Sequence, residues 1–168
     1  MSGPPIAAGG IANGGAAVLA NTQVDHNTAS FTSGGGIVNH GQMTLINCQV
    51  KGNTAAGSGI VASGGGIISA QGEPGSAPTT LTVINSRVNF NRAGGDGGGI
   101  ANGVPLPGPM PLIGGALKLV NSQVIGNTAA AGGGIFNNLG TVTLVSALVI
   151  ANRPDNCEPT ASITGCRN

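Results

Sequence analysis

Apolar and polar residues alternate with period two in a series of short segments: Met43-Thr44-Leu45, Leu81-Thr82-Val83, Leu117-Lys118-Leu119 and Val142-Thr143-Leu144. That period belongs to β-strands, and it points Met43 and Leu45 inward and Thr44 outward. A glycine run closed by isoleucine precedes each segment, at Ile11, Ile37, Ile67, Ile100 and Ile135. A Val-x-x-Asn unit follows, at Val24/Asn27, Val50/Asn53, Val88/Asn91, Val124/Asn127 and Val149/Asn152. The isoleucines lie 26, 30, 33 and 35 residues apart, yet the stretch from the alternating segment to the second asparagine has constant length. Extra residues collect only after the Asn or Ser two places beyond the isoleucine, and between the second asparagine and the next glycine run. A constant unit with insertions at fixed points marks a solenoid. No segment keeps helical periodicity, and the glycine density disfavours helix. The pattern therefore predicts an all-β chain, a parallel β-helix of about five three-strand coils in a single domain over residues 1–168. An N-terminal segment covers 1–8, the coils cover 9–153 and a C-terminal tail covers 154–168.

The periodic asparagines fall at the predicted corners. Asn21, Asn47, Asn85 and Asn121 form one row, closed by Ser146; Asn27, Asn53, Asn91, Asn127 and Asn152 form a second. Asn13, Asn39, Asn102 and Asn137 form a third, with Ser69 in the gap. Stacked at a strand spacing of ~4.8 Å, each amide can donate to the next and build a ladder. Asparagine and glycine also accept the left-handed backbone of a tight corner. The inward row Thr22, Cys48, Ser86, Ser122 and Ala147 is small enough for a narrow core, which makes Cys48 a buried small residue rather than a nucleophile.

Composition narrows the reading. Glycine is 32 of 168 residues without a strict period of three, which excludes collagen, and 40% apolar residues at regular positions supply a core. With 7% charged and 2% aromatic residues and a net charge of +1, the chain has neither the basic patch nor the stacking platform of a nucleic-acid binder. No apolar run reaches bilayer-spanning length, so no transmembrane segment is expected. The opening residues carry no visible signal peptide. In the tail, Cys157 and Cys166 are nine apart and predict a disulfide worth about 2–3 kcal/mol in the chain-entropy model.

The repeat GGGI-x-N…φ-T-φ-x-N-(S/T/C)-x-V-x-x-N-x-A resembles the right-handed parallel β-helix proteins. It is most similar to bacterial surface proteins with GGxI repeats and a spaced asparagine, including polymorphic outer-membrane protein passenger domains, and more distantly to the pectate-lyase-like superfamily. The resemblance spans about residues 9–166 and implies the right hand of the coil. The Cys-closed tail is similar to those of secreted β-helix proteins and implies an extracellular or cell-surface location. The scaffold itself carries enzymes, adhesins and inert stalks.

Candidate chemistry is sparse. The carboxylates are Asp25, Glu73, Asp96, Asp155 and Glu158, and no two fall on one outward face one coil apart, as paired acid–base or Ca²⁺ chemistry needs. Asp25 and Lys51 share an outward row and predict a surface ion pair. His26 and His40 lie at different corners, and the glycine runs lack the Lys-Ser/Thr of a phosphate loop. No catalytic, metal or cofactor site is expected. The candidate binding surface is the apolar row Ala12, Val38, Ile68, Ala101 and Phe136, each following an inward isoleucine. Beside it stand two long loops, 70–80 and 103–116, the second exposing Leu106, Met110, Leu112 and Ile113. Such loops either cover the row or border a groove on it. The expected role is a non-catalytic secreted or surface solenoid that is structural, self-assembles through its ends or the 103–116 loop, or binds a glycan or protein partner. The alternative is a polysaccharide-acting lyase or hydrolase. A lesser one is ice binding through outward Thr44, Thr80, Thr82, Thr141 and Thr143, a row interrupted by Val18 and Lys118.

Overall fold

In the computed structural model the described residues are 8–30, 34–57, 62–71, 77–105 and 113–168. The isoleucine segments form one parallel sheet from β1 (Ile11–Asn13), β5 (Ile37–Asn39), β9 (Ile67–Ser69), β13 (Ile100–Asn102), β16 (Ile135–Asn137) and β19 (Cys157–Glu158). The alternating segments form a second from β2 (Ala16–Ala20), β6 (Gln42–Ile46), β10 (Thr80–Ile84), β14 (Ala116–Val120) and β17 (Thr141–Val145). A third holds β3 (Gln23–Asp25), β7 (Gln49–Lys51), β11 (Arg87–Asn89), β15 (Gln123–Ile125) and β18 (Leu148–Ile150). Strands of one sheet come from successive repeats, so the chain climbs as a parallel β-helix. The register is the one the repeat alignment predicts: Ile11, Ile37, Ile67, Ile100 and Ile135 stack, and Val24, Val50, Val88, Val124 and Val149 stack.

A fourth sheet was not anticipated. It is built from β4 (Thr28–Ala29), β8 (Thr54–Ala55) and β12 (Arg92–Ala93), and single bridges carry it on through Thr128 to Arg153. Two residues are too few to show an alternation, which hid these strands. They follow the second asparagine row and turn Ala29, Ala55 and Ala93 inward.

Inward side chains of the first three sheets fill one bore. Ile37, Ile67, Ile100, Ile135, Leu81 and Leu119 have no exposed surface, each burial contributing about 1.5–3 kcal/mol. The asparagine row beside the bore is a continuous ladder. Asn27, Asn53, Asn91 and Asn127 each donate from Nδ2 to the Oδ1 of the next member, at 2.9, 3.0, 3.0 and 2.9 Å. Their backbone N–H groups donate to the same oxygens at 2.8–2.9 Å. The second proton of Asn53, Asn91 and Asn127 goes back to the carbonyls of Val24, Val50 and Val88. Asn39 donates to Ser69 in the third row, and Asn102 donates to Asn137. The small inward row is also laddered: Ser86 Oγ accepts from the Cys48 N–H, and Ser122 Oγ from that of Ser86. Cys48 is buried and unbonded to another cysteine.

The first asparagine row departs from expectation. Asn21, Asn47, Asn85, Asn121 and Ser146 all have φ of 48–53° and are exposed. One long amide contact, Asn47 to Asn21 at 3.4 Å, links them. These residues are held by their tolerance of left-handed backbone, not by laddering.

The tail closes the C-terminal end. Cys157 takes the position of the inward isoleucine below Ile135, and Cys157, Cys166 and Ile163 are buried in the bore. Cys157 and Cys166 are disulfide-bonded. The ladder ends on Asn156, whose Oδ1 accepts from Asn152 and whose Nδ2 donates to the Arg167 carbonyl.

Replacing Asn91 removes the acceptor of the Asn53 backbone N–H and of one Asn53 Nδ2 proton, and a donor to the Val50 carbonyl, while Asn127 Oδ1 keeps the backbone N–H of residue 91. Asn91→Ala is therefore expected to cost 3 kcal/mol or more at about 1–3 kcal/mol per unmet group. Asn121→Ala should cost about 1–2 kcal/mol, and Asn121→Gly only a fraction of that, because only backbone conformation is at stake. Urea unfolding of the three variants checks this ranking.

Candidate functional site

The apolar row expected as a binding surface is in register, Ala12–Val38–Ile68–Ala101–Phe136. Its centre is not open. Val38, Ile68 and Ala101 are at most 1% exposed and form a second small core with Ala70 and Val104. The glycine turns themselves pack on the row: Gly34, Gly64, Gly97 and Gly132 have φ between 59° and 79°, and a Cβ on any of them would run into Val38, Ile68, Ala101 or Phe136 respectively. Ala12 is exposed and Phe136 half-buried. Of the loop residues, Ile113 is 38% exposed and accepts from the Gln71 N–H, which ties the bases of the two loops together. Leu106, Met110 and Leu112 lie outside the described residues.

The charged residues are scattered. Asp25 and Lys51 are register partners, but the carboxylate accepts from Gln49 Nε2 at 2.8 Å and the Lys51 backbone N–H at 3.1 Å. The expected ion pair is replaced by amide donors. Asp96 sits at a partly covered corner, and burial raises its pKa above the ordinary carboxylate value. His40 donates through Nδ1 to the Ala70 carbonyl, while His26 turns a corner at φ 58°. Glu73 lies outside the described residues, and among those described no three His, Cys, Asp or Glu side chains gather where a metal could sit. The threonine file is aligned but interrupted as anticipated, by Val18 at 68% exposure and by Lys118.

A different concavity runs along the left-handed corner between the second and third sheets, an open groove of about 450 Å³. One wall is the exposed asparagine row from Asn21 to Asn121; the other is Gln23, Gln49, Arg87 and Gln123. The floor includes Thr22, Cys48 and Ser86. Local sequence dictates this form. Left-handed backbone at each asparagine turns its amide outward, and the strand that follows starts with an outward-facing residue, glutamine or arginine in four of five repeats. The fifth repeat has Leu148 there, and the groove stops.

No protein-family model, no curated protein and no solved structure matches this chain.

The groove's chemistry follows from its lining alone. Carboxamides offer donors and acceptors at ordinary pH without charge, and Arg87 supplies the single cation. Such a surface can hold a neutral polar chain by many weak bonds. The groove's described lining residues are asparagine, glutamine, threonine, serine, Cys48 and Arg87. The sequence contained a signal for it in the recurring Asn-x-(Gln/Arg). That signal is concealed when the asparagines are assigned to an interior ladder.

Burial of Asp96 disfavours its charged form, so it favours the folded state while protonated and loses that contribution as pH rises through the raised pKa. Asp96→Asn should therefore raise the thermal midpoint at pH 7 and leave it nearly unchanged at pH 3. Melting curves at the two pH values test this.

Proposed function

We propose that the chain is a non-catalytic, partner-binding β-solenoid: a right-handed parallel β-helix of five coils, displayed in an oxidising extracellular or surface setting, whose corner groove holds an extended uncharged glycan. One observation carries this reading. The groove repeats an asparagine with an outward glutamine, or in one repeat Arg87, over four consecutive repeats, so it offers a linear array at the strand spacing of ~4.8 Å rather than one focal point. A linear polymer of hydroxyl-bearing rings matches such an array, each unit meeting one repeat. The disulfide in the tail supports the oxidising compartment. The passage of the ladder from Asn152 to Asn156 and on to the Arg167 carbonyl supports glycan binding ahead of stacking through that end.

Affinity electrophoresis in soluble neutral polysaccharides, with product analysis of the same incubations, tests the proposal. Retardation by at least one linear neutral polysaccharide is expected, without release of fragments. Gln49→Ala with Gln123→Ala should weaken binding about fivefold to tenfold or more, from one to two lost hydrogen bonds at about 1 kcal/mol each. Fragment release would replace this reading with the polysaccharide-acting enzyme. No retardation by any neutral polysaccharide would remove the glycan reading.

A further inference from the structure

A second concavity opens at the other corner of the third sheet, where the chain again takes left-handed backbone. Stacked there are His26, Gly52, Phe90, Gly126 and Ala151, with φ of 58°, 65°, 56°, 70° and 56°. A ring alternates with a glycine: the His26 ring lies where a Cβ on Gly52 would stand, and the Phe90 ring where one on Gly126 would stand, 2.6 Å from Cε1. Past Gly126 the corner has only Ala151, and a hollow of about 350 Å³ remains between Phe90, Ile125, Gly126, Thr128, Ala151 and Arg153. Apolar surface borders it. Phe90 is 59% exposed, and Ile150, the register partner of Ile125 and next to Ala151, is 43% exposed.

On its far side the hollow meets the fourth sheet. Bridges Arg92–Thr128 and Thr128–Arg153 put the two arginines in one outward file, one strand apart on either side of Thr128. Two strand spacings are about 10 Å. Both arginines are exposed, and neither is paired with a carboxylate among the described residues. Four of the chain's six cations lie elsewhere, at Lys51, Arg87, Lys118 and Arg167, so this pair is a local concentration beside the described apolar hollow.

We propose that this corner is a protein-docking site, distinct from the glycan groove, which takes an extended acidic segment of a partner protein. An aliphatic or aromatic side chain of that segment enters the hollow against Phe90 and Ile125, and neighbouring carboxylates pair with Arg92 and Arg153. Charge complementarity selects the occupant. Two unpaired guanidiniums call for carboxylates, which they grip in bidentate fashion. The apolar border of Phe90, Ile125 and Ile150 calls for hydrocarbon, which a peptide side chain supplies and a hydroxyl-covered sugar does not. An exposed aromatic beside arginine is also the composition of interface anchors. Ala151 and Gly126, where a larger residue would fill the space, keep the hollow open.

The test is panning a displayed peptide library on the intact disulfide-bonded protein, with counter-selection on Arg92→Ala/Arg153→Ala. Enriched peptides are expected to carry Asp or Glu within a few residues of Leu, Ile or Phe. Their affinity should drop at least tenfold in the double-alanine variant, recover in part in Arg92→Lys/Arg153→Lys, and drop again in Phe90→Ala. Melting curves confirm that each variant is folded. Enrichment of peptides without acidic residues, or equal binding to the double-alanine variant, overturns the proposal. So does arginine-dependent binding of an oligouronate probe where no peptide is selected, which would make the occupant a sugar.

Discussion

A carboxamide taken out of water is costly unless every donor and acceptor finds a partner, and the file from Asn27 to Asn156 meets that demand along the solenoid. Each interior Oδ1 accepts twice from the preceding repeat, and each interior Nδ2 donates both forward and back. A repeat slipped by one residue would put a corner residue such as Gly52 or Gly126, or a threonine or arginine such as Thr54 or Arg92, in place of the carboxamide and leave its ladder partners unmet. Isoleucine, leucine and valine rows supply the larger share of burial, but apolar rows tolerate sliding. The ladder does not. It fixes the register on which every other row depends, including the hydroxyl file through Ser86 and Ser122 and the outer alignments of glutamine and arginine.

Once the interior is fixed, position in the repeat decides what reaches solvent. The glycine turns look like flexible linkers in the sequence, yet Gly64 and Gly97 press on Ile68 and Ala101 and shut the apolar row. Left-handed corners do the opposite. At these corners the backbone swings outward, and the residue there is exposed whether asparagine, phenylalanine or alanine. Two concavities therefore border the third sheet, one walled by amides and one by Phe90 and the arginines. Two folded surfaces of contrasting chemistry arise from one geometric device, with only the corner residue and its neighbours changed.

The bore, the three main sheets and their register were legible, because period-two alternation and constant spacing report directly on stacking. The disulfide was legible as well, from two cysteines beyond the last repeat. What escaped was set by geometry with no periodic signature. Ala29 and Ala55 belong to strands of two residues. Asn156 joins the ladder from four residues after Asn152, out of step with the repeat. Cys157 mimics an isoleucine of the bore in a segment with no glycine run. Asn21 and Asn27 are one residue type with opposite tasks, and only the sign of φ at the corner separates them. The row Val38–Ile68–Ala101 points away from the bore but is buried, and alternation cannot tell an outward face from a covered one.

Residue-resolved hydrogen exchange tests the ladder most directly. The backbone N–H groups of Asn53, Asn91 and Asn127 donate to ladder oxygens, and they should exchange only through global unfolding, with the free energy measured by denaturant. Exchange of these three through local opening, at a lower free energy than the flanking Val50 and Val88 amides, would contradict the claim that the ladder holds the repeats in register.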